Sequence, residues 1–198
     1  MENIEIQGMS RGAFLVRGAL ATGAAYGAAS VTPWVSRALA QEGGGDVEIL
    51  NFALTLEYLE ADFYKQASKL GLKGEYKSLA KEFGANESAH VDALIALINK
   101  AGGKPASKPQ AMWPLESEKS ILKLATTVEN LGAAAYLGQA GNIQDKEILA
   151  AALSIHTVEG RHAAVLNMAT GAEPAKGPFA QPASADEVLK AVKPFLAT

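Results

Sequence analysis

From Asp46 onward the chain alternates between long stretches with apolar residues every three or four positions and short breaks rich in Gly and Pro. Leu50, Ala53, Leu54 and Phe63 set this helical spacing in a first stretch, which Asp46 can cap and which runs to about Leu70. Gly71 and Gly74 break it. A second helix is predicted from about Glu75 to Ala101, with Leu79, Phe83, Leu94, Leu97 and Ile98 as core positions, and Gly102-Gly103 stops it. A third starts after Ser117 and runs to about Gly141; Asp145 caps a fourth that ends at Gly171. Ser184-Ala185-Asp186-Glu187 reads as a capping box for a last short helix ending near Pro194. No period-two alternation competes with these helices. The pattern predicts an all-α fold, an antiparallel four-helix bundle with a short C-terminal helix.

The connectors differ in length. Lys104 to Glu116 supplies 13 residues, including Pro105, Pro109 and Pro114, where a tight antiparallel connection needs only about 2–8. Extended, such a segment reaches about 40 Å, and a 25-residue helix is about 37 Å long. A crossover running the length of the bundle between helices 2 and 3 is therefore expected. Glu173 to Ala183, with Pro174, Pro178 and Pro182, is a second loop.

Residues Met1 to Ala40 have a different character. Arg11 and Arg17 precede an uncharged Ala/Gly-rich run from Gly18 to Val35, and Ala38-Leu39-Ala40 has the small-x-small form of a cleavage site. Ser10-Arg11-Gly12-Ala13-Phe14-Leu15 resembles a twin-arginine export signal, with Gly12 where the second arginine should be. Residues 1–40 are thus expected to be an export signal, 46–171 the bundle, and 172–198 a Pro-containing loop with a short helix. The expected location is periplasmic or extracellular, with a membrane anchor as the alternative if the segment stays attached.

Composition narrows the chemistry. The 198 residues are 48% hydrophobic, enough for a substantial core, and the net charge of −3 argues against a nucleic-acid binder. With no cysteine, disulfides, Fe–S clusters, thiolate zinc sites and thiol nucleophiles are excluded. Only three histidines are present, His90, His156 and His162.

Two of these fall in a repeating pattern. Glu87-Ser88-Ala89-His90 lies on the second helix and Glu159-Gly160-Arg161-His162 on the fourth. Residues three apart share a helix face, so each pair can point at one metal. Thirty residues before each motif stand Glu57 and Glu129, and seven after these stand Tyr64 and Tyr136, so the whole set repeats at an offset of 72. Leu50/Leu122, Ala53/Ala125, Thr55/Thr127, Leu59/Leu131 and Ala61/Ala133 match as well, making seven identities in 15 positions, where chance gives about one. The chain reads as two copies of a helical hairpin. Glu57 and Glu87 are equidistant from residue 72, and Glu129 and Glu159 from residue 144, both inside turns. All four glutamates and both histidines can therefore meet at one depth in the core.

Four ionised carboxylates in a core would repel one another and be poorly solvated; two divalent cations offset them. Carboxylate oxygens with two imidazoles suit iron first, manganese next, with zinc also compatible. The six expected ligands are Glu57, Glu87, His90, Glu129, Glu159 and His162. Glu60 and His156 lie near the same faces, but their partners in the repeat are Gly132 and Gly84. Glu60 is therefore expected in the surroundings of the site or on the surface, and His156 beside the site. Tyr64 and Tyr136 are candidate redox-relevant neighbours. Asp62, Asp92 and Arg161 read as surface or supporting groups.

This constellation resembles the ferritin-like superfamily, which includes bacterioferritin and rubrerythrin and places one Glu from each of two helices and a Glu-x-x-His from each of two others around two metals. Ile49-Leu50-Asn51-Phe52-Ala53-Leu54 followed by Glu57-Tyr58-Leu59-Glu60-Ala61 resembles more closely the exported bacterial ferritin-like proteins related to plant desiccation-associated proteins. The resemblance spans about Asp46 to Gly171. It implies a ferritin-like crossover bundle and an oxidoreductase acting on ferrous iron, oxygen or peroxide, or else a metal-stabilised stress-protective protein without turnover. Glu87 and Glu159 are expected to bridge the metals, with Glu57 and Glu129 terminal. Where bacterioferritin carries its haem-binding Met, this chain has Ser88 and Ala89, so no haem is expected. The expected partners are metal ions, small oxidants and the export machinery, not nucleic acid; a homo-oligomer is compatible with the family.

Overall fold

The computed structural model describes residues 45–196; the predicted export signal lies outside them. Four long helices follow in order: α1 Asp46–Ala67, α2 Gly74–Lys100, α3 Glu118–Ala140 and α4 Lys146–Ala169. A short α5, Ala185–Val192, runs into a 3-10 turn, Lys193–Phe195. α1 pairs with α2 and α3 with α4 as hairpins, and the two hairpins pack through α1 and α3. No strand forms among the described residues; Ala111 and Leu196 make one isolated antiparallel bridge.

The helix ends follow local chemistry, with two corrections. Asp145 caps α4 by accepting from the amides of Glu147 and Ile148, and Ser184 and Glu187 form the expected capping box on α5. Asp46 does not cap α1, whose N-cap is Gly45 with no side-chain bond. Its carboxylate instead accepts from the amides of Gln144 and Asp145, at 2.8 Å each, tying the start of α1 to the α3–α4 turn. α1 also ends at Ala67, three residues short of Leu70, because Ser68 to Leu70 turn back onto carbonyls of the last turn.

The long connector is a crossover. Asn51, near the start of α1, binds Lys104 and Ala106 of the connector through its amide. Asp62, near the end of α1, accepts from Trp113 Nε1 at 3.2 Å and pairs with Lys108 Nζ at 3.2 Å. The segment therefore lies along α1 and delivers α3 at the far end, where Glu118 accepts from the Lys73 amide. Trp113 stacks on Phe195, joining the crossover to the C-terminal turn.

Three apolar clusters fill the interior. One, built on Leu50, Leu54, Leu94, Ile98, Tyr136 and Ile155, occupies one end of the bundle. A second, built on Phe63, Tyr64, Phe83, Ile121 and Leu166, occupies the other. The third seats Val188, Leu189 and Val192 of α5 on Phe52, Leu56, Leu59 and Ala135. The chain reaches that seat by passing very close to α3: the Ala183 amide donates to Ala134 O, and a Cβ at Gly138 would lie 2.0 Å from Ala183 O. Only glycine admits this approach.

Candidate metal centre

Between the two end clusters the bundle interior turns polar. Glu57 comes from α1, Glu87 and His90 from α2, Glu129 from α3, and Glu159 and His162 from α4. The four glutamates are 0% exposed, and both histidines are buried. The six side chains converge at one level, as the distances from the two hairpin turns require.

They divide into two overlapping groups. Glu57, Glu87, His90 and Glu159 can bring four donor atoms within 4.8 Å of one another; so can Glu87, Glu129, Glu159 and His162. Glu87 and Glu159 belong to both groups, whereas Glu57 and Glu129 each belong to one. His90 Nδ1 lies 2.8 Å from Glu87 Oε2 and 3.2 Å from Glu57 Oε2. His162 Nδ1 lies 3.0 Å from Glu87 Oε1 and 3.2 Å from Glu129 Oε2. Glu87 thus reaches both histidines, one through each oxygen.

The tyrosines cross between the hairpins. Tyr64 on α1 donates to Glu129 Oε1 on α3 at 2.5 Å, and Tyr136 on α3 donates to Glu57 Oε1 on α1 at 2.7 Å. Each unshared glutamate therefore has one oxygen fixed by a tyrosine and the other turned toward the centre. Burial and the neighbouring carboxylates hold both phenols protonated, well above their usual range.

The charge balance shows strain. Burial raises Glu57 to about 7, and it drives Glu159 well above the carboxylate range against the opposing effect of His90. Burial also raises Glu129. Glu87 runs the other way: burial alone would raise it, but His162 and His90 bring it to about 2. Burial disfavours the imidazolium forms, yet the surrounding carboxylates lift His90 to about 12 and His162 to about 9. Without a cation, the centre holds protons in its place. Even so, Glu159 Oε1 and Oε2 and Glu87 Oε1 lack a hydrogen-bond partner, although His90 Nδ1 stands 3.3 Å from Glu159 Oε1 and His162 Nδ1 3.0 Å from Glu87 Oε1. Orphaned buried carboxylate oxygens facing two imidazole nitrogens are the donor set of a hard or borderline divalent ion, so the residues fit a metal pair.

Two neighbours carried no signal in the motifs. Asn86 brings its amide to 3.1 Å from His162 Nε2. Phe83 stacks on the His162 ring, with centroids 3.9 Å apart. Both positions break the repeat, since 72 residues on stand Val158 and Ile155; a search for such breaks around the ligands would have picked them out. Of the two places expected for Glu60, the structure gives the surroundings of the site: it is 2% exposed and faces the carboxylate cluster, outside both donor groups. His156 lies outside both donor groups, half-buried near the Ala133 backbone, with its Nδ1 buried and unpartnered. Asp92 and Arg161 are exposed, and Asp62 serves the crossover.

A family model described as a ferritin-like domain matches residues 45–172. Among solved structures, the chain is similar to a conserved hypothetical protein from Mycobacterium tuberculosis, with 21% sequence identity and a TM-score of 0.59. That similarity covers 70% of this chain and 99% of the other. No protein of curated function matches the chain.

Proposed function

Because the chain belongs to the ferritin-like domain family, we propose that its buried centre binds two redox metal ions, iron first and manganese second, and that it oxidises ferrous iron or reduces oxygen or peroxide. The observation that carries this reading is the pair of overlapping donor groups sharing Glu87 and Glu159. Two iron or manganese ions held there would supply two-electron redox chemistry toward a small oxidant. Glu57 and His90 would hold one ion and Glu129 and His162 the other, with Glu87 and Glu159 available to both.

The chain's own residues prepare the centre. Tyr136 and Tyr64 pin the outer oxygens of Glu57 and Glu129, so each carboxylate offers one oxygen inward. With His162 Nδ1 given to a metal, Nε2 would carry the ring proton, and the Asn86 side-chain amide, 3.1 Å away, could accept it through its oxygen and fix the ring. An apolar pocket abuts each tyrosine, one lined by Leu50, Ala53, Leu94 and Tyr136, the other by Tyr64, Phe83, Ile121 and Leu166. Such linings suit a small neutral oxidant and disfavour ions.

The complete burial of all four glutamates favours a second reading, a metal-stabilised protective protein without turnover. Stopped-flow addition of ferrous ion with oxygen or peroxide separates the two. Oxidation well above the buffer rate, with Glu129→Ala losing one metal and most of that rate while remaining folded, supports the first reading. A wild type that binds iron yet oxidises it no faster than buffer leaves the second.

The same proposal places the protein outside the cytoplasm. The basis is the uncharged run and the Ala38-Leu39-Ala40 site in residues 1–40. Intact-mass measurement on natively produced protein tests it, and a retained N-terminus would rule cleavage out. Among the described residues no helix is long and apolar enough to cross a membrane.

A further inference from the structure

The six expected ligands obey the 72-residue repeat; Glu60 does not, since its partner in the repeat is Gly132. A glutamate without a counterpart would ordinarily be a surface residue, but this one is among the most buried side chains in the protein, at 2% exposure. It stands one turn beyond Glu57 on the same face of α1. Its Oε2 is buried and has no hydrogen-bond partner. Beyond its burial, the charged groups that act most strongly on it are the carboxylates of Glu159, Glu57, Glu129 and Glu87.

The space it occupies exists because residue 132 is glycine. A Cβ there would lie 2.6 Å from Glu60 Oε1 and 2.9 Å from Glu159 Oε2, closer than side chains tolerate. Glu60 and Glu159 therefore converge on one point of α3 where no side chain intervenes. The unmet demand is one-sided. Glu87 has a histidine near each oxygen and Glu159 has His90 3.3 Å from Oε1, whereas Glu60 Oε2 and Glu159 Oε2 are buried with neither a hydrogen-bond partner nor a histidine at ion-pair distance. Carboxylates brought together without donors are stable only if they share protons or a cation.

We propose that Glu60 is a seventh protein ligand to the metal pair, a fifth carboxylate entering from the Glu159 side through the gap left by Gly132. This rests on the two-metal reading above and deepens it. The repeat builds a symmetric six-ligand centre, and the Glu60/Gly132 exchange makes the two metal positions unlike. Five carboxylates also outweigh two divalent ions by one charge, so the centre favours an ion that gains positive charge on oxidation.

The test uses the full chain, stripped of metal and titrated with Co(II), whose visible bands intensify as coordination number falls. The wild type should take up two Co(II). Glu60→Gln, which keeps the shape and removes the charge, should weaken the second Co(II) at least tenfold and intensify the bands. Gly132→Ala should also weaken Co(II), but because its Cβ crowds Glu159 Oε2 as well as Glu60 Oε1, Glu60→Gln is the deciding variant. The metal-free Glu60→Gln protein should stay folded, with a melting temperature close to that of metal-free wild type, because glutamine keeps the shape of a side chain that burial and its carboxylate neighbours hold protonated. Two Co(II) bound by Glu60→Gln with wild-type affinity and spectrum would overturn the proposal while leaving the two-metal reading intact. A lowered melting temperature with unchanged Co(II) binding would overturn it too, marking Glu60 as a packing residue. A wild type that takes up no Co(II) would defeat both readings together.

Discussion

At the scale of single residues, the centre is organised by groups that hold the donors as much as by the donors themselves. Tyr64 and Tyr136 differ from ordinary core tyrosines in that each hydroxyl crosses to the other hairpin's glutamate. A carboxylate free at both oxygens rotates and samples several binding modes; one anchored at its outer oxygen presents a single mode. Tyr64→Phe and Tyr136→Phe are each expected to weaken metal binding by roughly 10–100-fold, as loss of a hydrogen bond to a ligand generally does. Calorimetric titration with Mn(II) checks this, and affinities unchanged in both variants would reduce the tyrosines to core packing. The identity of the tyrosines was legible from the repeat, but which glutamate each would hold was not. In sequence Tyr64 is nearest Glu57, and only the packing of α1 on α3 carries its hydroxyl to Glu129 instead.

At the scale of elements, the bundle depends on close approaches that hydrophobic spacing does not reveal. α5 packs its apolar face on α1 and α3, and the strand of chain leading to it presses Ala183 O against Gly138. Gly138→Ala sets two effects in opposition. Helix propensity favours alanine by about 1 kcal/mol, while overpacking against a backbone oxygen costs about 1–3 kcal/mol. Ala183 is held through its own amide, which donates to Ala134 O, so its carbonyl cannot swing aside as a side chain can, and the clash should prevail. The variant should melt a few degrees lower and be cleaved faster by trypsin at Lys176, in the exposed loop before α5. A higher melting temperature with unchanged proteolysis would show that the loop yields freely. The crossover is held in the same distributed way, by Asn51 and Asp62 at two heights on α1.

At the scale of the whole molecule, protons and metal compete for the same core. Glu57 is raised from 4.5 to about 7 and His162 from 6.5 to about 9. In both cases the folded, metal-free protein binds a proton more tightly than the unfolded chain. Stability from such groups is fully present below the unfolded value and is lost as pH rises through the folded one. His90, lifted from 6.5 to about 12, acts in the same sense, so metal-free protein should lose stability progressively from about pH 5 upward, through and beyond pH 9. Glu87, lowered to about 2, contributes in the opposite sense, but its loss comes only in strong acid. Metal binding must expel the same protons, so affinity should rise across that interval. The gap in melting temperature between metal-loaded and chelator-treated protein should widen from pH 6 to pH 9. A gap constant across this range would mean that no proton is exchanged for metal.

What the sequence determined by itself is what periodicity and duplication can carry. Helix positions follow from residues a few places apart, so α1 to α5 were legible to within a few residues. The six converging side chains were legible because the spacing from Glu57 to Glu87 and from Glu129 to Glu159 is symmetric about a turn, and antiparallel helices convert that symmetry into equal depth. What only the tertiary structure decided depends on a residue opposed by another far along the chain. Asp46 could cap its own helix, yet it binds amides about a hundred residues away. Glu60 read in sequence as a neighbour of the site or a surface residue, and only the gap that Gly132 leaves opposite it decided between the two. The burial of a carboxylate is set by the volume left by whatever faces it, and that volume is a property of the packed pair of helices, not of either one alone.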